Sequence, residues 1–131
     1  HGVKLPTPGR TFGEPGNYVV WTGRGQFFLI GDVPANPSIA KLAALADQSD
    51  GWAIMHLEGN DSAAVLARLC PIDIRLDQFG FGHTARTEVA HLSSVVTRLA
   101  NGFEIMVMRS FGKTALHHLT NTMKSVAAQT R

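Results

Sequence analysis

The chain has 131 residues, 44% of them hydrophobic, with twelve Lys and Arg against ten Asp and Glu for a formal net charge of +2. A chain of this length buries roughly 65% of the surface it exposes when unfolded, enough for a stable core without a disulfide staple. Its single cysteine, Cys70, can neither close an intrachain bridge nor hold a zinc ion alone, so a reducing, cytoplasmic setting is expected. The basic residues are scattered singly, which excludes a phosphate-tracking stripe, and no nucleic acid is expected as partner. No membrane is expected either, because no apolar run approaches the roughly 20 residues that span a bilayer, and the first residues lack a charged-then-apolar signal pattern.

Residues 1–17 contain three prolines and four glycines and read as an extended N-terminal arm without regular structure, followed by one domain over 18–131. The stretch YVVWTGRGQFFLIGD brackets a glycine-rich turn with two apolar runs and predicts a hairpin with strands near 18–22 and 26–30. Ile39, Leu42, Ala43 and Ala46 shift the period to that of a helix over about 38–48, with Asn36 or Ser38 as cap and Pro37 in the first turn. WAIMHLEG follows as a strand: Trp52, Ile54 and His56 share one face, Ala53, Met55 and Leu57 the other. Apolar residues on both faces predict a central position in its sheet.

NDSAAVLARLC predicts a short helix, capped by Asn60 or Asp61, that buries Val65, Leu66 and Leu69 and stops at Pro71. Residues 71–82 form a loop anchored by Ile72, Ile74, Leu76, Phe79 and Phe81. Strands are expected near 83–89, 92–98 and 102–108, the last two joined through Asn101-Gly102. A terminal helix carries Phe111, Ala115, Leu119 and Met123 every four residues, widened by Leu116 and Val126, with Ser110 as N-cap. The order β-β-α-β-α-β-β-β-α defines an α+β fold, mostly antiparallel sheet with helices packed on it.

No self-contained catalytic set emerges. Of the six histidines, none forms HExxH, and His117 and His118 diverge by about 100° on their helix, so no metal site is expected. Glu58, Asp61, Asp73, Asp77, Glu88 and Glu104 show no diagnostic acid–base pairing; Asp73 reads as a loop-fixing acceptor for amides or for Arg75 or Arg86. Cys70 falls at a helix C-terminal boundary, which favours an inert buried thiol. No GxSxG is present, and the short strings TGRGQ and FGFGH read as turns rather than as phosphate-binding loops. Accordingly no catalytic, cofactor-binding or metal residue is assigned to this chain. Most of the large aromatics and methionines are expected in the core, and, the interior of so small a domain being limited, some of them at an interface.

One ordered series of motifs goes beyond composition: Gly59 with Asp61, Val65-Leu66-Ala67, Cys70-Pro71-Ile72-Asp73-Ile74 running to Phe79, Thr87, and Arg109-Ser110-Phe111 opening the last helix. Over roughly 18–120 this series resembles the gamma subunit family of heterotetrameric sarcosine oxidase. The resemblance implies a fold like that of the folate-binding aminomethyltransferases. It also implies assembly with alpha, beta and delta subunits into a complex that oxidatively demethylates sarcosine to glycine, carries FAD, FMN and NAD, and uses tetrahydrofolate. The gamma subunit is not known there as the site of amine oxidation, so its expected role is assembly and stabilisation of the large subunits. Interface candidates are Cys70, Pro71, Asp73, Phe79 and Phe81 in the 70–82 loop, and Arg109 and Phe111 before the last helix. Arg109 suits either a bidentate carboxylate contact or a capping role on its own sheet. The competing readings are a stand-alone folate-binding or aminomethyltransferase-like protein, which needs an aromatic-lined cleft with a carboxylate, and a free-standing binding module.

Overall fold

The structure, a computed structural model, describes residues 5–14, 16–31, 38, 41 and 44–129. Two antiparallel sheets organise them. The first, in the order β1-β2-β3, comprises Thr11–Glu14, Asn17–Gly23 and Gln26–Gly31. The second, in the order β4-β7-β6-β5, comprises Trp52–Glu58 (β4), Thr84–Val89 (β5), Leu92–Leu99 (β6) and Gly102–Met108 (β7). Helix α1, Ser62–Ala67, follows β4, and α2, Gly112–Gln129, closes the described chain after a 3-10 turn over Arg109–Phe111. The expected α+β class with antiparallel sheets is what the chain adopts.

Residue alternation along β7 builds three layers. Phe103, Ile105 and Val107 point to one face, where they join Leu57, Val96, Leu66, Ala115, Leu119 and Val126 in a core roofed by the two helices. Met106 points the other way and packs with Val95 and Val20, flanked by Tyr18, Phe28, Ile30 and Trp52, so the small sheet covers the opposite face. A strand covered on both sides must be apolar at nearly every position, and six of the seven residues of β7 are buried.

Several expectations change. Residues 9–14 are pinned rather than free: β1 pairs with β2, Arg10 bridges His83, and the amides of Thr11 and Thr84 donate to Gly82 O (3.0 Å) and Gly9 O (2.9 Å). Glycines that suggested a formless arm instead serve the bends: Gly13 and Gly16 hold φ of +122° and +84°, conformations a side chain resists. β4 is an edge strand among the described residues, and β7 takes the central place. Its two apolar faces are those expected, but Ile54 on the face toward the small sheet is half exposed.

The helix expected over 38–48 lies mainly outside the described residues, as do Asn36 and Pro37; residues 44–48 carry no regular structure. Ser110 sits inside the 3-10 turn rather than at a cap, and the cap position of that turn, Met108, makes no side-chain hydrogen bond. Asp61 does occupy the N-cap position of α1, without a side-chain bond to the helix amides. The buried stripe of α2 runs through Ala115, Leu119 and Val126, leaving Leu116 and Met123 in solvent.

Candidate functional site

A single carboxylate stands in the middle of the most buried strand. Glu104 is only 4% exposed, and its side chain enters the space between the two sheets. The Tyr18 hydroxyl, brought across by β2, donates to Glu104 Oε2, and His56 Nε2 on the edge strand lies 3.2 Å from the same oxygen. Burial, reinforced by the hydrogen bond to Glu104 and by that group's charge, pushes the Tyr18 phenol well above its ordinary range. Glu104 Oε1 has no hydrogen-bond partner. Beside the carboxylate on β6, the Thr97 hydroxyl donates to Thr84 Oγ1 (3.0 Å), which donates to Val96 O (3.1 Å), so this polar pair is satisfied internally.

Chemically this is a plug rather than a reaction centre. A general acid or base has to face a substrate-sized space, whereas Glu104 is buried between the sheets and its Oε2 is taken by the Tyr18 hydroxyl. Two open surface concavities lie elsewhere. One, of about 730 Å3, lies where the β6–β7 turn meets the start of α1 and is lined by Glu58, Asn60, Phe81, Arg98 and Asn101. Arg98 is drawn inward there: its guanidinium lies 4.5 Å over the Phe103 ring and Nη2 donates to Ile74 O, while Nε lacks a partner. Burial lowers the Arg98 pKa. The other, of about 560 Å3, is lined by Arg68, Cys70, Glu88, His91 and His118. Among the described residues no group of three or more His, Cys, Asp or Glu could hold a metal, and no helix is long and apolar enough to cross a membrane.

The interface candidates divide by burial. Cys70 and Phe79 are core residues: Cys70 packs beside Leu66 with its Sγ 4.0 Å from Thr87 Oγ1, and Phe79 meets the His83 ring edge to face at 5.9 Å. Phe79 is core, which corrects its assignment; Cys70 is buried, as expected of its thiol, and reaches the surface only at the floor of the second concavity. Their role is to nail the loop to the core together with Ile74; Leu76 and Phe81 do not share that role and stand in solvent. Pro71 is exposed. Asp73 accepts from the Arg75 amide (3.1 Å) and guanidinium (2.7 Å), which lowers its pKa and fixes the loop locally, as one of the expected roles has it. Arg109 lies 3.9 Å from Asp50 in solvent and donates its backbone amide to Gly51 O, tying the end of β7 to the start of β4. Phe111 is exposed next to it.

Sequence reasoning missed the Tyr18–Glu104–His56 cluster because the three residues are 86 and 48 positions apart along the chain. A signal was present in FEIMVM: a lone carboxylate in a strand covered on both faces must find a partner.

The layered α+β arrangement has known counterparts. The GCVT N-terminal domain model matches residues 32–130, and the chain belongs to that family. The chain is 27% identical over 139 residues to the sarcosine oxidase subunit gamma of Corynebacterium sp. (strain U-96), a match covering 97% of this chain and 67% of the relative. It is 25% identical over 122 residues to the subunit gamma of Corynebacterium sp. (strain P-1), covering 87% and 60%. A chain in the structure of heterotetrameric sarcosine oxidase from Corynebacterium sp. U-96, in complex with pyrrole 2-carboxylate, superposes with a TM-score of 0.78 at 26% identity over 89% of this chain and 65% of that one. These matches place the chain with the sarcosine oxidase gamma subunits within its family. It spans about two thirds of the length of those relatives.

Proposed function

We propose that this chain is the non-catalytic gamma subunit of a cytoplasmic heterotetrameric sarcosine oxidase, assembled with alpha, beta and delta subunits. Its role is to order and stabilise the large subunits, which the family resemblance implies to carry FAD, FMN and NAD and to use tetrahydrofolate. The observation that carries this reading is the plugged carboxylate: Glu104, the one acidic side chain buried among the described residues, is occupied by the protein's own Tyr18. A domain of this kind contributes surface rather than chemistry.

One observation favours a second reading as a stand-alone folate-binding protein. A carboxylate with an unpaired oxygen sits against Tyr18 between the sheets, and outward rotation of Tyr18 would present it to a heterocycle. A flat calorimetric titration with tetrahydrofolate rejects that reading. The first reading is tested by expressing the genomic neighbours with and without this chain and comparing flavoprotein yield and sarcosine turnover. The subunit reading expects lower yield and faster thermal loss of activity without the chain; equal yield and equal lifetime contradict it.

A further inference from the structure

Resting on that subunit reading, we infer that the β4 margin of the large sheet is the docking surface, and that its occupant is an extended, acidic and apolar segment of a larger partner subunit. Five large apolar residues are exposed along this margin: Ile54 (48%), Met108 (50%), Phe111 (40%), Leu116 (56%) and Met123 (46%). They belong together in space. Met108 pairs with Trp52 and Met106 with Ile54, so Ile54 and Met108 are diagonal neighbours on one sheet face.

On the opposite face, α2 sits over β4 and β7, close enough that a Cβ on Gly112 would lie 3.1 Å from Ala53 Cβ. One flank of α2 is taken by α1, whose following residue Arg68 donates to Ser125 (3.0 Å) and to Gln129. Leu116 and Met123, seven residues apart, share the other flank. Because β4 is the sheet edge, that flank overhangs an open strand. The margin therefore runs from Ile54 and Met108, around seven residues of strand edge unpaired among the described residues, to Leu116 and Met123.

Two features specify the occupant. A free strand edge offers backbone donors and acceptors that an extended segment satisfies, and nothing on β4 blunts it: there is no proline, lysine or bulge between Trp52 and Glu58. Charge supplies the second feature. α2 contains no acidic residue, and Lys113 and Lys124 are free of ion pairs among the described residues; Asp50 is already beside Arg109. An apolar strip flanked by the two lysines of α2, with Glu58 as the acidic residue at the far end of β4, is complementary near α2 to apolar side chains accompanied by carboxylates.

The test uses the full chain and the large flavoprotein subunits purified from co-expression of its genomic neighbours. Binding is measured for the wild type, for Leu116→Glu with Met123→Glu, for Ile54→Glu, and for Phe81→Ser as a control on the 70–82 loop. All four positions are exposed, and circular dichroism confirms that each variant folds. The first two variants are expected to bind about tenfold more weakly or worse, and Phe81→Ser like wild type. Hydrogen exchange should slow over 52–58 on assembly. Normal binding by the margin variants, or protection confined to 70–82, overturns this inference and leaves the subunit reading intact. No assembly even by the wild type overturns both. A dimer of the chain alone that Ile54→Glu dissolves overturns the heterologous occupant in favour of a second copy.

Discussion

Tyr18 is the only tyrosine in the chain, so its ionisation can be followed by phenolate absorbance without interference from another phenol. Burial, the hydrogen bond to Glu104 and the Glu104 charge all oppose the phenolate and raise the folded-state pKa above the ordinary value of 10.0. A raised pKa means that the folded state keeps a proton the unfolded state releases. The stabilisation is therefore fully present below pH 10.0 and lost as pH climbs from there toward the folded-state value. One retained proton makes this loss at most about 1.4 kcal/mol per pH unit. Titration between pH 9 and 12 in parallel with circular dichroism is expected to show no phenolate until ellipticity collapses, the two transitions coinciding. Tyr18→Phe should remove this part of the alkaline slope. Reversible phenolate formation near the ordinary pKa with the fold intact would refute the placement of Tyr18 against Glu104, and with it the plug that closes the carboxylate.

Three further outcomes follow from local geometry. Gly102→Ala should be severely destabilising, because a Cβ there would stand 2.0 Å from Leu57 O and 2.9 Å from Glu58 Cα; Gly25→Ala, with open space around it and φ of +67°, should cost only about 1–2 kcal/mol in urea unfolding. The β5–β6 turn places Ala90 and His91 at φ of +52° and +67°, so Ala90→Asn with His91→Gly should raise stability by about 1 kcal/mol or more, read as a shift in urea midpoint at constant slope. Cys70, buried beneath its loop, should react with a thiol reagent only as fast as the domain opens, and mild urea should accelerate labelling; immediate labelling of the folded chain would contradict its burial.

Legibility from sequence followed the range of the interactions involved. The β2–β3 hairpin and the run from β4 to α2 were readable within a few residues because period, turn glycines and Pro71 act locally. β1 was hidden since its partners, β2 and residues 82–84, settle a glycine-rich stretch that has no pattern of its own. Two-sided apolarity gave the central place to β4 rather than to β7, because a free apolar edge and a covered interior read alike in one dimension. The same ambiguity put Phe79 among the interface candidates although its packing on His83 makes it core, and sent Leu116 and Met123 into the stripe of α2 although the sheet ends beneath them. The family, by contrast, was carried by motif order, which tolerates such errors.

The central claim is that this chain works as part of a larger flavoprotein assembly. Light scattering with in-line flavin absorbance, on the tagged chain purified after co-expression with its genomic neighbours, tests it most directly. The account predicts a yellow species far above 14.1 kDa with larger chains bound; a colourless species of the chain alone, beside soluble flavin-loaded neighbours, would contradict it.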